Sequence, residues 1–339
     1  GLVRFVREKT GQEQPLAGKK IVVDAGNGAG GFYVDKVLAP LGADTEGSQF
    51  LEPDGNFPNH IPNPEDKKAM HAISQRVKET GADFGIIFDT DVDRAGAVDR
   101  QGEEINRNRL IALISAILLQ EKSGTIVTDS VTSDGLTAFI ESRGGKHCRY
   151  KRGYRNVIDK AKELNAAGEY SPLAIETSGH AALMENYFLD DGAYLVTRIL
   201  VSLAQLAKEG KDIGDLIADL PEPAEAAEVR LGFTTLGKQD FKNNGNFAIR
   251  ELQLRVPDLP GMTLAAENFE GVRINFDKDH GDGWALVRMS LHEPIMPINF
   301  ESNSKGGCCV IANELIALLA PYTGDIDLTN LQNYAGTSH

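Results

Sequence analysis

The sequence predicts an α/β protein, in which consecutive α/β units are followed by an α+β C-terminal part. Over the first two thirds of the 339 residues, short apolar runs alternate with amphipathic stretches whose apolar residues recur at helical spacing. Repeated strand–helix units of this length favour mainly parallel sheets covered by helices. Beyond a Pro-rich stretch at residues 219–223, two apolar runs flank a polar turn, which is typical of an antiparallel strand pair.

The first unit is predicted to begin with a strand at residues 19–24 and a glycine-rich turn, followed by a helix over residues 32–41. Asn63 and Pro64 indicate an N-cap with proline at the first helical position, and Gly81 ends that helix. The remaining elements predicted in this unit are a buried strand at 84–88, which leads into an acidic loop, and a helix at about 109–120.

The same pattern restarts in a second unit. Its predicted elements are a strand at 125–128, a helix at 136–142, a helix marked by apolar residues from 157 to 164, and a strand at 172–175. The last part is predicted to contain strands at 272–276 and 284–289 and a helix at 309–319.

Charge and cysteine content narrow the function classes. The 35 Lys and Arg against 49 Asp and Glu give a net charge of −14, so neither a nucleic acid nor an anionic membrane is an expected partner. No apolar run approaches 18 residues, so no membrane insertion is expected. The three cysteines form no C-x-x-C, which favours a reducing compartment and argues against a disulfide framework.

The glycine-rich turn at residues 26–31 satisfies the pattern G-x-G-x-x-G. A dinucleotide site also needs an acidic residue about 20 residues further on, at the end of a second strand. Asp44 and Glu46 lie near that distance, but no strand leads into either. A tight turn that packs a helix closely on a strand is the favoured interpretation, and a nicotinamide dehydrogenase stays an alternative.

The acidic loop at residues 89–94 carries the sharpest motif. Asp89, Asp91 and Asp93 follow a predicted buried strand at alternating positions, as a hard divalent cation requires. An EF-hand is excluded because Arg94 and Arg100 stand where it needs Gly and Glu. The alternative is a solvated acidic turn without a metal.

Two further polar loops follow predicted strands. Glu176, Ser178 and His180 offer a carboxylate, a hydroxyl and an imidazole that suit neighbouring sugar hydroxyls; the alternative is a capped turn with a structural histidine. Arg288 and Ser290 could present a guanidinium and a hydroxyl to a phosphate; the alternative is ordinary surface pairing.

Together these loops resemble the α-D-phosphohexomutase family, which includes phosphoglucomutases and phosphomannomutases. Residues 89–94 are similar to its D-G-D-G-D-R magnesium loop, with Thr90 and Val92 in place of the glycines. Residues 176–180 are similar to its sugar-binding G-E-x-S-G-H, with Ile175 in place of the first glycine. Further stretches that resemble the family lie ahead of the metal loop at 54–64, before the sugar loop at 151–154 and after it at 190–192.

The resemblance implies a division into domains. The family has three α/β domains with mixed sheets and a final α+β domain, of which this chain matches the second, third and fourth. The implied division is a tail of the first domain or linker at 1–13, an α/β domain with the metal loop at 14–104, an α/β domain with the sugar loop at 105–221, and an α+β phosphate-binding domain and tail at 222–339. The first domain, which carries a phosphoserine in a T-A-S-H-N-P loop, has no counterpart among these residues.

The resemblance also implies a reaction. A phosphoserine donates its phosphoryl group to a hexose 1- or 6-phosphate of glucose or mannose, and the bisphosphate returns the other phosphate to serine, with Mg²⁺ as cofactor. The implied Mg²⁺ ligands are Asp89, Asp91 and Asp93, and the implied catalytic residue is Arg94. The implied substrate-binding residues are Gly153, Tyr154, Glu176, Ser178, His180, Arg288, Ser290 and His292.

The loop that would bind the distant phosphate departs from the family pattern R-P-S-G-T-E-P. Met289 replaces its proline, and Leu291 and His292 replace its glycine and threonine. Leucine does not let the backbone approach an anion as glycine does. The alternative function is therefore a catalytically impaired homologue that binds sugar phosphate or serves as a subunit for an unidentified assembly partner. Cytoplasm and plastid stroma both suit the expected reducing compartment.

Overall fold

The computed structural model of this protein describes residues 1–290 and 293–336. Two compact units account for them: Gly1–Cys148 with Arg152–Pro221, and Arg149–Lys151 with the chain from Glu222 onwards. The boundary after Pro221 lies inside the Pro-rich stretch at residues 219–223. The proposed division of the first unit at residues 104 and 105 stays a prediction.

The first unit contains two four-stranded sheets. The first sheet has the order β1-β2-β3-β4, with β1 Ile21–Asp24, β2 Phe84–Phe88, β3 Ala95–Asp99 and β4 Glu104–Ile105. β1 and β2 are parallel, whereas β2, β3 and β4 pair antiparallel. The expectation of mainly parallel sheets, drawn from the strand–helix repeat, is wrong here. After β2 the chain turns straight back through the acidic loop instead of crossing over through a helix.

The second sheet has the order β6-β5-β7-β8, with β5 Thr125–Thr128, β6 Lys146–Arg149, β7 Leu173–Ile175 and β8 Ala181–Leu183. β5 and β7 are parallel, and β8 returns antiparallel to β7. Both sheets are therefore mixed, as the family resemblance implies. The helices of this unit are α1 Leu2–Thr10, α2 Lys67–Thr80, α3 Arg107–Glu121, α4 Asp134–Ser142, α5 Tyr154–Ala166 and α6 Gly192–Lys208.

One hydrophobic core connects the two sheets of the first unit. It contains buried side chains of β1 and β2, of β5 and β7, and of the helices α3 and α6. In α3 every residue from Leu110 to Leu119 is buried. A helix that is apolar all round belongs inside a core, which explains why this segment lacks a polar face.

Helix α2 begins later than the sequence predicts. Asn63 was expected to be its N-cap, but the helix begins at Lys67, since the Asp66 carboxylate accepts hydrogen bonds from the backbone N–H groups of Lys68 and Ala69 at 3.0 and 2.9 Å. The side chain of Asn63 instead accepts the N–H of Glu65 in a preceding turn. The helix ends at Gly81 in the left-handed conformation, as predicted.

The segment predicted as a helix over residues 32–41 is irregular. It consists of a 3₁₀ turn at Ala29–Gly31, a π turn at Val34–Leu38 and another 3₁₀ turn at Ala39–Leu41. Pro40 has no N–H to donate within a helix, which favours this change of hydrogen-bond pattern. The apolar residues Val37, Leu38 and Leu41 are nevertheless buried.

The second unit is α+β. Its six-stranded sheet has the order β10-β11-β12-β13-β9-β14, with β9 Glu225–Phe233, β10 Met262–Leu264, β11 Val272–Phe276, β12 Gly283–Val287, β13 Ile295–Ser302 and β14 Ile326–Asp327. Neighbouring strands are antiparallel, including the predicted pair β11 and β12. Its helices are α7 Phe241–Arg255, α8 Gly307–Leu319 and α9 Thr329–Gly336. Among the helices in the described parts of the chain, none is both long and apolar enough to cross a membrane.

Candidate metal and sugar site

The acidic loop is a tight turn between the antiparallel strands β2 and β3. The N–H of Asp89 donates to the carbonyl of Arg94 at 3.2 Å, which closes the loop. Asp89, Asp91 and Asp93 each bring one carboxylate oxygen within 4.8 Å of the others. Asp89 is buried and Asp91 is exposed, so the cluster has one closed and one open side.

The Asp93 carboxylate shows that the cluster fits a cation. Its Oδ1 atom is buried, has no hydrogen-bond partner in the described part of the chain, and lies 3.8 Å from the Arg94 Nε, beyond hydrogen-bond distance. Burial, and after it the hydrogen bond and charge of Asp89, raise the pKa of the Asp93 carboxyl to about 6. A divalent cation with oxygen ligands would satisfy the unpartnered atom and offset the repulsion between the carboxylates, so these residues fit Mg²⁺.

Arg94 is held at the closed side of the loop. Its Nε donates to Asp89 Oδ2 at 2.8 Å, and its Nη1 lies 3.4 Å from Asn63 Oδ1. A guanidinium has five N–H donors, so these two contacts orient the group and leave others for a ligand. Asn63, predicted as a helix cap, thus contributes to the orientation of Arg94.

The glycine-rich turn packs directly on the acidic loop. The N–H of Ala29 donates to the carbonyl of Thr90 at 2.8 Å, and a Cβ on Gly28 would lie 2.7 Å from the same oxygen. Only glycine allows this approach of two backbones. The geometry therefore explains the glycine by close packing, as the sequence analysis favoured.

Glu176 lies where β7 ends, in the turn that leads to β8. Its N–H donates to the carbonyl of His180 at 2.9 Å, and its Oε1 accepts the N–H of Gly153 at 2.6 Å. Only 4% of the residue is exposed. Burial, and after it the charge of Asp129, raise the pKa of the Glu176 carboxyl to about 7.

Ser178 and His180 complete this turn. The Oγ of Ser178 is a second buried atom without a hydrogen-bond partner among the described residues, so it is free to bind a ligand hydroxyl. Nδ1 of His180 lies 2.7 Å from Asp190 Oδ2. Burial disfavours the imidazolium, but the hydrogen bond and charge of Asp190 outweigh it and raise the pKa of His180.

Gly153 and Tyr154 reach the same turn from the start of α5. Gly153 has a positive φ of 109°, which directs its N–H to Glu176. The ring of Tyr154 stacks on the His180 imidazole at a centroid distance of 5.4 Å, with 40% of the tyrosine exposed. The structure thus brings all five predicted sugar-site residues of the first unit together.

The acidic loop and the sugar turn lie against each other. Arg94 and His180 form an isolated antiparallel bridge, and His180 Nδ1 lies 3.8 Å from Asp93 Oδ2. The N–H of Gly192 donates to the carbonyl of Val92 at 3.0 Å, which fixes the start of α6 on the acidic loop. Two motifs that are far apart in the sequence therefore form one continuous polar site.

The predicted phosphate-binding residues lie in the second unit, after β12. The N–H of Arg288 donates to the Pro297 carbonyl at 3.2 Å, and the N–H of Ser290 donates to the Ile295 carbonyl at 3.1 Å. The Oγ of Ser290 accepts the N–H of Glu293 at 3.3 Å. His292 and Leu291 lie outside the described residues. The roles assigned to these residues stay predictions.

Three residues of this site, Asp129, Asp190 and Asn63, have no site role predicted from the sequence. Asp129 directly follows β5, as Asp89 follows β2 and Glu176 follows β7. An acidic residue directly after a buried strand was therefore a signal that could have identified Asp129. Asp190 lies in the stretch 190–192 that resembles the family, but nothing in that pattern indicates its contact with His180.

Two models of one protein family match consecutive parts of this chain. The family model for the phosphoglucomutase/phosphomannomutase alpha/beta/alpha domain II matches residues 3–102, and the model for domain III matches residues 106–224. A phosphomannomutase/phosphoglucomutase of Pseudomonas putida is 32% identical over 89% of this chain and 61% of its own length. A phosphoglucomutase of Neisseria gonorrhoeae is 29% identical over 88% of this chain and 61% of its own length. The chain thus spans about three fifths of the length of the curated relatives it matches.

Solved structures show the same fold. The crystal structure of a phosphoglucomutase/phosphomannomutase family protein from Burkholderia thailandensis matches with a TM-score of 0.77 and 27% identity, covering 95% of this chain and 64% of that one. An Aspergillus fumigatus N-acetylphosphoglucosamine mutase, solved with GlcNAc-6P and magnesium, matches with a TM-score of 0.56 and 13% identity, covering 93% of this chain and 69% of that one. The second match concerns the fold alone.

Proposed function

Because the chain belongs to the phosphoglucomutase/phosphomannomutase family, we propose that it supplies the metal, sugar and phosphate sites of a phosphohexomutase. The proposed reaction interconverts the 1-phosphate and 6-phosphate of glucose, of mannose or of both through a phosphoserine and a bisphosphate. None of the 339 residues matches the phosphoserine loop, so the phosphoryl donor of this reaction belongs to residues outside them.

The observation that carries the proposal is that one site contains two buried oxygens with no hydrogen bond from the described residues. Asp93 Oδ1 belongs to the acidic cluster and Ser178 Oγ to the sugar turn. The two loops are joined by the bridge between Arg94 and His180. Buried polar atoms are almost always hydrogen-bonded, so their place here supports a site for both a cation and a hydroxylated ligand.

Asp89, Asp91 and Asp93 are the proposed Mg²⁺ ligands. Bound there, the ion would neutralise charge on a transferring phosphoryl group and restrict its geometry. Arg94, held by Asp89 and Asn63, keeps further N–H donors for a phosphoryl oxygen. The closed side of the loop thus orients a fixed positive charge beside the cation site.

Glu176, Ser178 and His180 are the proposed sugar ligands. Glu176 Oε1 is engaged by Gly153, which leaves the second oxygen of its carboxyl for a sugar hydroxyl. The Ser178 hydroxyl can donate or accept. The face of Tyr154, stacked on His180, borders this set and is partly exposed.

The alternative is a homologue that binds hexose phosphate without turning it over. Met289, which replaces the family proline, packs against the hydrophobic core of the second unit, and its Sδ fills the space beside Gly245. The substitution is thus accommodated by apolar packing, which does nothing for anion binding. This observation keeps the alternative as a second candidate.

Turnover by the protein expressed from its complete reading frame decides between the two. We expect conversion of glucose 1-phosphate or mannose 1-phosphate to the 6-phosphate that requires Mg²⁺ and is abolished by Asp91→Asn. A matched control is Asp99→Asn, a buried aspartate at the opposite end of β2 and β3, which should retain activity. Binding of the sugar phosphate without turnover supports the impaired homologue, and absence of both contradicts the proposed function.

A further inference from the structure

Asp129 lies beside Glu176 at the carboxyl edge of the second sheet. In the parallel register of β5 and β7, Thr128 is opposite Ile175, so the next residue of each strand is the acidic one. Both side chains are buried, with Asp129 fully inaccessible to solvent. Because β5 and β7 are parallel and end at the same level, their next residues place two buried carboxyl groups side by side at one edge of the sheet.

Asp129 contacts the two segments that carry the sugar site. Its Oδ2 accepts a hydrogen bond from Thr177 Oγ1 at 2.7 Å and lies 3.6 Å from Arg152 Nε. Thr177 follows Glu176 in the sugar turn, and Arg152 precedes Gly153, whose N–H donates to Glu176. Asp129 thus contacts the residues that directly adjoin Glu176 and its hydrogen-bond donor Gly153.

We propose that Asp129 is the positioning residue of this sugar site: it fixes the two segments around Glu176 through Thr177 and Arg152, and it holds a buried charge beside the carboxyl that accepts a hydrogen bond from a sugar hydroxyl. This inference rests on the proposed function, because it assigns the sugar to Glu176. Asp129 does not touch the sugar itself.

The electrostatics of Glu176 support the same arrangement. Burial raises the pKa of Glu176 most, and Asp129 is the first charged group that adds to it. The N–H of Gly153, the guanidinium of Arg152 and the imidazole of His180 act in the opposite direction. Together with Asp129, these groups face the carboxyl from the end of β5, from the segment before α5 and from the sugar turn.

The protonation state of Glu176 affects sugar binding. The ionised carboxyl accepts hydrogen bonds from sugar hydroxyls, whereas the protonated carboxyl has lost acceptor capacity. A sugar that binds near neutral pH therefore displaces the Glu176 proton to solvent. Removal of the Asp129 charge should let Glu176 ionise at lower pH, and removal of the Arg152 charge should have the opposite effect.

The test is calorimetric titration of the chain with glucose 1-phosphate from about pH 5.5 to 8.5. In the wild type we expect affinity to rise as Glu176 ionises. Asp129→Asn keeps an acceptor for the Thr177 hydroxyl, and the pH midpoint of its rise in affinity should lie about one pH unit below that of the wild type. The affinity at pH 6, divided by the same protein's affinity at high pH, should therefore be about fivefold larger than in the wild type. Because the ligand phosphate titrates equally with every variant, it does not contribute to the difference.

Two variants separate charge from position. Thr177→Val should weaken binding at every pH without moving the midpoint, because it removes the hydrogen bond and leaves the charge. Arg152→Gln, at a partly exposed residue, should move the midpoint upward and provides the test if Asp129→Asn fails to fold. Asp99→Asn, the matched buried control, should change neither quantity.

Titration of the Glu176 carboxyl by ¹³C NMR without ligand distinguishes the two possible failures. A Glu176 midpoint that moves in neither Asp129→Asn nor Arg152→Gln overturns the role of Asp129 and leaves the proposed function intact. Absence of binding of both glucose 1-phosphate and mannose 1-phosphate by the wild-type chain at every pH overturns the proposed function together with this inference. Equal loss of affinity at every pH in Asp129→Asn, with no shift, reduces Asp129 to a structural residue and also overturns it.

Discussion

Val92 holds an unfavourable backbone conformation at the centre of the acidic loop. Its φ of 71° is in the left-handed region, which a β-branched residue rarely adopts. Its side chain is buried in the core of the first unit, and its carbonyl accepts the N–H of Gly192. Burial and this hydrogen bond therefore offset a strain of about 1–3 kcal/mol that glycine would avoid.

At Val92, substitution by glycine should destabilise the protein less than substitution by alanine, which is the reverse of the usual order. Val92→Ala and Val92→Gly both lose apolar burial, but only glycine relieves the left-handed strain. We expect Val92→Gly to be the more stable of the two by about 0.5–1 kcal/mol in urea denaturation. At Ala97, in the extended strand β3, the usual order should hold and Ala97→Gly should destabilise. A Val92→Ala variant more stable than Val92→Gly would show that the loop is unstrained.

Asp91 should bind metal without contributing to the fold. It is exposed, whereas Asp89 is buried and bonded to Arg94. We expect Asp91→Asn to lower Mg²⁺ affinity at least about tenfold in calorimetric titration while the unfolding free energy without metal stays within about 0.5 kcal/mol. Asp89→Asn should lower both the Mg²⁺ affinity and the free energy of unfolding without metal. Unchanged Mg²⁺ affinity in Asp91→Asn would favour the solvated acidic turn.

Glu176 should make the protein less stable at neutral than at mildly acidic pH. Because the pKa of this carboxyl rises from 4.5 to about 7 on folding, the folded state binds the extra proton between these values, and the free energy of unfolding falls as pH increases through them. Glu176→Gln should reduce this slope by the Glu176 contribution and gain up to about 3 kcal/mol relative to the wild type at pH 8, while the raised pKa values of Asp93 and His180 leave a remaining slope of the same sign. Urea denaturation at pH 5 and pH 8 measures it, with the exposed Glu141→Gln as control. A slope in Glu176→Gln as steep as that of the wild type would assign the whole effect to other groups.

At the scale of elements, the start of α2 gives a direct test of capping. The Asp66 carboxylate accepts two N–H groups of the first helical turn, whereas Asn63 lies outside the helix. Asp66→Ala should destabilise the protein by about 1 kcal/mol in urea denaturation. Asn63→Ala, at the position where the sequence predicted the cap, should cost less. The opposite order would restore the original prediction.

Elements with a strong apolar pattern were predictable from the sequence, and irregular ones were not. β2 and α3 are nearly continuous apolar runs, because both are buried on all sides. β3, with the sequence AGAVD, and the two-residue β4 carry too few large apolar side chains to indicate strands. At residues 32–41 helical spacing correctly indicated that Val37, Leu38 and Leu41 are buried, but Phe32 of the same pattern is exposed, and spacing alone does not distinguish an α-helix from successive 3₁₀ and π turns.

At the scale of the whole molecule, motifs indicated which loops carry chemistry but not how they meet. Asp93 and His180 belong to different sheets, and their separation of 3.8 Å depends on how the sheets of the first unit share a core. No local pattern encodes that packing. Asp129 and Glu176 each directly follow a buried strand, but that they lie side by side depends on the pairing of β5 with β7, which neither residue's local sequence indicates.

Mg²⁺ should stabilise the first unit selectively. The proposed ligands lie in the acidic loop, which packs on the core of the first unit through Val92, whereas the second unit has a hydrophobic core of its own. Ligand binding raises the stability of the folded state that binds it by about 2.7 kcal/mol at a hundredfold excess over Kd. The chain contains one tryptophan, Trp284, which is buried in β12 of the second unit and donates its Nε1–H to Glu301. Its fluorescence therefore follows the second unit, while far-ultraviolet circular dichroism follows both.

We expect Mg²⁺ to raise the temperature of the unfolding transition that circular dichroism assigns to the first unit and to leave the Trp284 fluorescence transition in place. In Asp91→Asn neither transition should respond, because the metal ligand is lost while the fold is kept. A Trp284 transition that moves with Mg²⁺ in the wild type but not in Asp91→Asn would show that the two units unfold together. If Mg²⁺ still raised the unfolding temperature of the first unit in Asp91→Asn, the cation would bind elsewhere than in the acidic loop.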